Sequence, residues 1–195
     1  MTEPAERIRC GWVASAGPLD QDYHDREWGV PVHGDAHLFE MITLEGAQSG
    51  LSWSTILKKR EGYRAAFHGF DADRVARMTA RDVERLLQNP AIVRHRGKIE
   101  STIANAKGVA AIQDEMGSLD AFVWSFVEGT PLQSGLRSYR DAPSATDHSR
   151  RLSKALKQRG FRFVGPTTMY AFMQAAGLVN DHEVGCFRHA ALARP

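Results

Sequence analysis

The chain has 195 residues, 43% of them hydrophobic, and a formal net charge of +2 at pH 7. That is ordinary globular usage, which excludes a disordered chain and fits one domain or two small lobes. With 25 Lys+Arg against 23 Asp+Glu there is no bulk positive field, so any nucleic-acid binding has to come from a local patch.

Residues 1–8 read as a loose end with no basic segment leading into an apolar stretch. No apolar run approaches the ~20 residues that span a bilayer, so a cytoplasmic protein without membrane contact is expected. Residues 9–34 mix Gly, Pro and aromatics without a period and read as irregular but anchored chain. From 35 onward the period is helical. Asp35 is placed to cap a helix with Leu38, Ile42 and Glu45 on one face. A second helix is expected from Ser52 or Trp53 to about Phe67, with Ile56, Tyr63 and Phe67 inward. Asp71 and Thr79 are N-caps for two short helices, and Asn89-Pro90 interrupts. A longer helix follows with Ile99, Ile103, Ala106 and Ala110 at helical spacing. Ser118 caps a helix holding Phe122 and Phe126, and 129–145 is a loop. Thr146 or Asp147 opens a helix through Leu152, Ala155 and Leu156, with Gly160 just past its end. The last predicted helix begins after Pro166, contains Met169, Tyr170 and Met173, and ends near Gly177. No segment has a clean period-2 pattern, so the predicted class is all-α.

Four features carry chemistry. Cys10 and Cys186 are the two cysteines, which rules out a disulfide framework or a four-cysteine iron–sulfur cluster. With His24 and His182 they make two thiolates and two imidazoles, a full tetrahedral set for a structural zinc. One disulfide, or two buried free thiols with two ordinary histidines, are the alternatives. Glu45 falls on the apolar face of its helix, where a carboxylate must be paired, neutralised or lining a cavity. Gly46, Gly50 and Trp53 follow it closely, so a ligand site and a structural glutamate bonded to backbone amides both remain open. Trp12, Tyr23 and Trp28 lie in or beside irregular chain. They suit either the walls of a site for a flat cation or a core filling between the two chain ends. Finally, Leu86 to Ile99 reads as a short helix, a tight turn and a longer helix opening on Arg94, Arg96 and Lys98. Free amides with basic side chains at a helix start attract phosphate, which suits sequence-independent contact with a DNA backbone.

Arg-Cys-Gly-Trp at 9–12, Tyr-His-Asp-Arg-Glu-Trp-Gly-Val-Pro at 23–31 and Phe-Glu-Met-Ile at 39–42 occur in order. Leu-Glu-Gly at 44–46, Gly-Leu-Ser-Trp at 50–53, Arg-His-Arg-Gly-Lys at 94–98, Phe-Val-Trp-Ser-Phe-Val at 122–127 and Gly-Leu-Val-Asn-Asp-His at 177–182 follow. From about 9 to 186 the chain resembles the bacterial type I DNA-3-methyladenine glycosylases. The resemblance implies one helix–hairpin–helix glycosylase unit over 1–195. Its helical core spans about 35–178, its hairpin about 80–110, and the ends 9–34 and 178–190 are tied by one structural zinc on Cys10, His24, His182 and Cys186. It implies base recognition by Glu45, stacking by Trp53, and a pocket lined by Tyr23 and Trp12. It places Gly50 and Leu51 at the gap left in the duplex, with Arg94, Arg96 and Lys98 on DNA. The partner implied is double-stranded alkylated DNA, the product free 3-methyladenine, and a monomer is expected. Two positions depart from the family pattern: Ala91 stands where a hairpin glycine is usual, and Asp20 where an aromatic is common.

The chemistry is coherent with those residues. Methylation at N3 makes adenine cationic and weakens its glycosidic bond, so the leaving base needs no proton from the enzyme. A carboxylate in a low-dielectric pocket would favour that cation over neutral adenine. A base inside a duplex is out of reach and must be rotated out. Strand cleavage by a lysine nucleophile is not expected. A non-catalytic zinc-stabilised DNA-binding module and a zinc hydrolase are the rival readings. The first leaves Glu45 beside Trp53 unexplained, and four protein ligands argue against the second.

Overall fold

The computed structural model describes residues 7–193, so the first six residues of the loose end expected over 1–8 lie outside it. Among the described residues the chain forms α1 (Pro18–Arg26), α2 (Asp35–Gln48), α3 (Trp53–Ala66), α4 (Ala72–Ala76), α5 (Ala80–Leu87) and α6 (Arg96–Met116). It continues with α7 (Leu119–Trp124), α8 (Asp147–Gln158), α9 (Pro166–Ala175) and α10 (Phe187–Leu192). Two residue pairs, Leu132 with Val179 and Gln133 with Asn180, form a minimal parallel ladder of β1 (Leu132–Gln133) and β2 (Val179–Asn180). The fold is mostly helical, as its periodicity predicts. No described helix is long and apolar enough to cross a membrane.

The organising element is α2. Ten consecutive residues, Leu38 to Ala47, are buried, as expected of a helix surrounded on all sides. It packs against α3, α6, α7 and α9. Glu40, on this helix, is answered by Arg60 Nε at 2.6 Å and Arg64 Nε at 3.0 Å, both from α3. Arg60 also reaches Glu27 at 2.6 Å. The network joins α2, α3 and the end of α1.

Several caps act as the sequence predicts. Asp71 accepts from the Arg74 amide, Thr79 and Asp82 form a capping box, and Ser118 and Thr146 accept from Ala121 and Ser149 amides. Asp35 acts differently. Gly34 is the N-cap of α2, and the Asp35 carboxylate instead accepts from Gln113 Nε2 (2.6 Å) and the Asp120 amide (2.9 Å). It therefore bonds the open start of α7 and ties that helix and α6 to α2. The irregular chain expected over 9–34 contains α1. Its inward residues are Asp20, Tyr23 and His24, so no apolar stripe announces it. The last described helix, α10, is a six-residue turn after Cys186 and also has no periodic signal.

A tight turn joins α5 to α6. Ala91 is not among the residues with positive φ, so alanine fits where the resemblance expects glycine. The close approach falls on Gly62 of α3 instead, where a Cβ would lie 2.2 Å from the Ala91 carbonyl oxygen. Lys59 Nζ donates to the Pro90 carbonyl at 2.6 Å, and the Val93 amide to the Tyr63 hydroxyl at 3.3 Å. The turn is thus held on α3.

Candidate active site and metal-ligand knot

The two ends of the chain meet at four buried side chains. Cys10 Sγ, His24 Nε2, His182 Nδ1 and Cys186 Sγ approach one another, all within 4.8 Å. Cys10 Sγ lies 3.4 Å from His182 Nδ1, and Cys186 Sγ lies 3.5 Å from His24 Nε2 and 3.6 Å from His182 Nδ1. A tetrahedral zinc with S and N ligands has donor separations of ~3.3–3.8 Å, and these three separations match it. The outer nitrogens are also committed. His24 Nδ1 donates to Asp25 Oδ1 at 2.8 Å and His182 Nε2 to the Trp28 carbonyl at 2.9 Å. These bonds orient both rings with the remaining nitrogen inward, the support that ligating histidines need. Against the cost of burial, hydrogen bonds from Arg9 and His24 hold the Asp25 carboxylate below its ordinary range. Backbone amides of Glu183 (3.3 Å) and Arg188 (3.5 Å) point at the two sulfurs. The hydrogen bond from Cys10 and those of the two histidines lower the Cys186 thiol despite burial.

The knot is also a wall of a cavity. Trp28 packs edge-on against His182 with centroids 4.6 Å apart, and Trp12 against Trp28 at 5.2 Å. Both tryptophans line a cavity of about 350 Å³ with Tyr23, Glu45 and Trp53. On α1, neighbouring residues thus serve two sites: His24 faces the knot and Tyr23 the cavity. The Tyr23 and Trp53 rings are 5.3 Å apart and tilted by 48°. Three donors, Trp12 Nε1, Trp53 Nε1 and Tyr23 Oη, are buried without a partner among the described residues. Native proteins rarely leave such groups unpaired, and three around one hollow suit it to a polar ligand.

Glu45 is 6% exposed. Unlike Glu40, it is answered by no arginine among the described residues. Burial pushes its carboxyl up to about 8, so in the protein alone it is mostly protonated at pH 7. The carboxylate expected from the sequence forms only at higher pH or beside a cation. Burial, then the proximity of Glu45, also raises the Tyr23 phenol well above its ordinary range.

The remaining predicted site residues divide. Gly50, at φ +79°, turns the chain out of α2, and Leu51 beside it is 40% exposed. Arg94 and Arg96 are exposed at the start of α6, Arg96 pairing with Glu84 at 2.7 Å. Lys98 is buried. Its ammonium donates to the carbonyls of Ala47 (2.8 Å) and Ser49 (2.7 Å), so it closes the C-terminus of α2 rather than facing outward. His95 caps α6 through Nδ1, which accepts from the Lys98 amide at 3.2 Å. Asp20, the other departure, is buried and accepts from the Ser54 hydroxyl at 2.7 and 2.8 Å, joining α1 to α3. Sequence reading missed Gln48, Tyr139, Tyr170, Gln174 and Asp181, which also line the cavity. Tyr139 lies in the aperiodic loop after β1. Its amide donates to Glu183 Oε1 (2.8 Å), which also accepts from the Gly11 amide at 3.1 Å.

A mostly helical fold whose ends meet at a metal-type donor set, with an aromatic cavity built around a buried carboxyl, suits a helical protein that takes a small polar ligand. The family model described as methyladenine glycosylase matches residues 12–189. The DNA-3-methyladenine glycosylase 1 of Escherichia coli (strain K12) is 55% identical over 178 residues, 91% of this chain and 95% of that protein. The DNA-3-methyladenine glycosylase of Haemophilus influenzae is 49% identical over 178 residues, 91% of this chain and 96% of its own. A crystal structure of a 3-methyladenine DNA glycosylase I superposes with a TM-score of 0.90 at 56% identity, covering 93% of this chain and 100% of that one. The Staphylococcus aureus enzyme, in a structure described as the basis of its 3-methyladenine recognition, gives 0.89 at 41% identity, covering 92% and 95%. The chain belongs to the methyladenine glycosylase family. It is a DNA glycosylase, a hydrolase.

Proposed function

We propose that this enzyme hydrolyses the N-glycosidic bond of 3-methyladenine in alkylated double-stranded DNA and leaves an abasic site without cutting the strand. The observation that carries this reading is the unpaired Glu45 carboxyl in an aromatic cavity with three unpartnered donors. Named relatives of the same family point to the same base.

The extruded base enters the cavity lined by Tyr23 and Trp53, whose rings offer their faces to the cation. Its positive charge favours the ionised form of Glu45, which gives its proton to solvent, and the resulting ion pair favours the alkylated base over neutral adenine. When the glycosidic bond breaks, its electron pair goes to the base, which leaves neutral. Water adds its oxygen to the sugar C1′ and releases a proton to solvent. Gly50 and Leu51 enter the gap in the duplex, while Arg94 and Arg96, at the helix–hairpin–helix formed by α5 and α6, contact phosphates. Lys98 supports the absence of a lyase step, because its amine is committed to two carbonyls. Cys10, His24, His182 and Cys186 hold a structural zinc. When bound, it cross-links the chain ends and leaves no open position for water.

The test uses duplex DNA alkylated by a methylating agent. Release of free 3-methyladenine, with no protein–DNA adduct trapped by borohydride, is the expected result. DNA binding without base release would leave only a binding module, and a trapped adduct would establish a lysine nucleophile.

A further inference from the structure

A second carboxylate in the cavity is unaccounted for. Asp181 follows β2, is 2% exposed and lines the same hollow as Glu45. Its two oxygens have different surroundings. Oδ2 accepts a short hydrogen bond from the Tyr170 hydroxyl and another from Gln174 Nε2 at 2.8 Å. Tyr170 and Gln174 lie one turn apart on α9, and both line the cavity. Burial, then the bond to Asp181, raises the Tyr170 phenol far above its ordinary range, so it remains a donor. Oδ1 is buried and has no partner among the described residues.

Anchoring Tyr170 and Gln174 does not require this charge. An asparagine amide oxygen would accept the same two hydrogen bonds. A buried carboxylate oxygen left unpaired is costly, whereas a ligand donor placed beside it would satisfy it. The two α9 donors fix the plane of the carboxylate, which is how recognition groups are held in place.

We propose that Asp181 is a second acidic base-recognition residue, whose free oxygen accepts a hydrogen bond from the cationic purine held in the cavity. The proposal rests on the base-excision reading above. Glu45 and Asp181 reach the ligand from different elements, α2 and the segment after β2. Together they surround a purine whose positive charge is spread over its rings and amino group.

The test compares two probes on the zinc-loaded enzyme by quenching of tryptophan fluorescence. One is 3,9-dimethyladeninium, a permanent cation, and the other is 9-methyladenine, its neutral counterpart. Asp181→Asn should lose affinity for the cation about tenfold or more, the worth of one hydrogen bond to a charged group. Its affinity for the neutral probe, whose hydrogen bond carries no charge, should fall by a much smaller factor. Tyr170→Phe, which removes one of the two α9 donors and leaves the knot untouched, should lose the same preference by a smaller factor. It decides the matter if Asp181→Asn fails to hold metal or to fold. Equal loss of both probes, or unchanged affinity for both, would overturn the role of Asp181. A wild-type enzyme that does not prefer the cation would overturn the base-recognition reading itself, and this role with it.

Discussion

Glu40 and Glu45 share one buried helix, and what surrounds each decides its chemistry. Two arginines hold Glu40 in place, whereas burial alone acts on Glu45 and lifts its carboxyl from 4.5 to about 8. The consequence for stability has a definite sign. Below about 4.5 Glu45 is protonated both folded and unfolded, and it carries no penalty. As pH rises from about 4.5 to about 8 the unfolded chain gains by ionising it and the folded protein does not, a loss of about 1.4 kcal/mol per unit of pH that stops growing above about 8. Glu45→Gln removes this loss, so its thermal midpoint should exceed that of the parent at pH 8 and match it near pH 4.5. Activity should show the opposite trend. In the parent, kcat/KM should climb with pH to a plateau above about 8, because ionised Glu45 attracts the cation and kcat/KM reports groups of the free enzyme. Glu45→Gln should be slow and lack that limb. A flat profile in the parent, measured by single-turnover base release, would contradict the role assigned to the charge.

At the scale of elements, Lys98 links two parts of the proposed DNA-facing surface. It starts on α6, beside the exposed Arg94 and Arg96, and ends on the last carbonyls of α2, just before Gly50 and Leu51. A cation at a helix C-terminus also complements its dipole. Lys98→Met should destabilise the protein by roughly 1.5–3 kcal/mol, the usual range for a charged hydrogen bond, in chemical denaturation. It should still release base, at a lower rate, if the lysine is structural; complete loss of base release in a folded variant would point to a chemical role. Much of this architecture is legible in the sequence. The helices α2, α3 and α6 carry apolar residues at helical spacing, and the Ser, Thr and Asp caps stand where the chain turns. α1 is hidden because its inward side chains, Asp20, Tyr23 and His24, serve a carboxylate contact, a cavity and a knot rather than an apolar stripe. Lys98 reads as one more basic residue in Arg-His-Arg-Gly-Lys, since nothing local shows that its amine turns inward. Tyr139 and Asp181 enter the cavity from chain without periodicity, held by long-range bonds to Glu183 and from Tyr170 that no spacing rule contains.

At the scale of the whole molecule, the chain ends build the site. Cys10 and Cys186 are 176 positions apart in sequence, yet both join His24 and His182 in one knot. Trp12 and Trp28 pack against that knot and form part of the cavity wall. Metal removal should therefore act on the cavity and on stability together. Chelation is expected to lower the thermal midpoint and weaken the near-ultraviolet dichroism of the tryptophans, with base release falling in parallel. An enzyme that kept its midpoint on chelation but lost activity would instead carry a catalytic metal. The position of the alkylated base decides between these roles and any other. A crystal structure of the enzyme soaked with 3-methyladenine measures this directly. The base should lie in the cavity against Trp53 and Tyr23, within hydrogen-bonding distance of the Glu45 carboxyl; a base bound outside this cavity would contradict that placement.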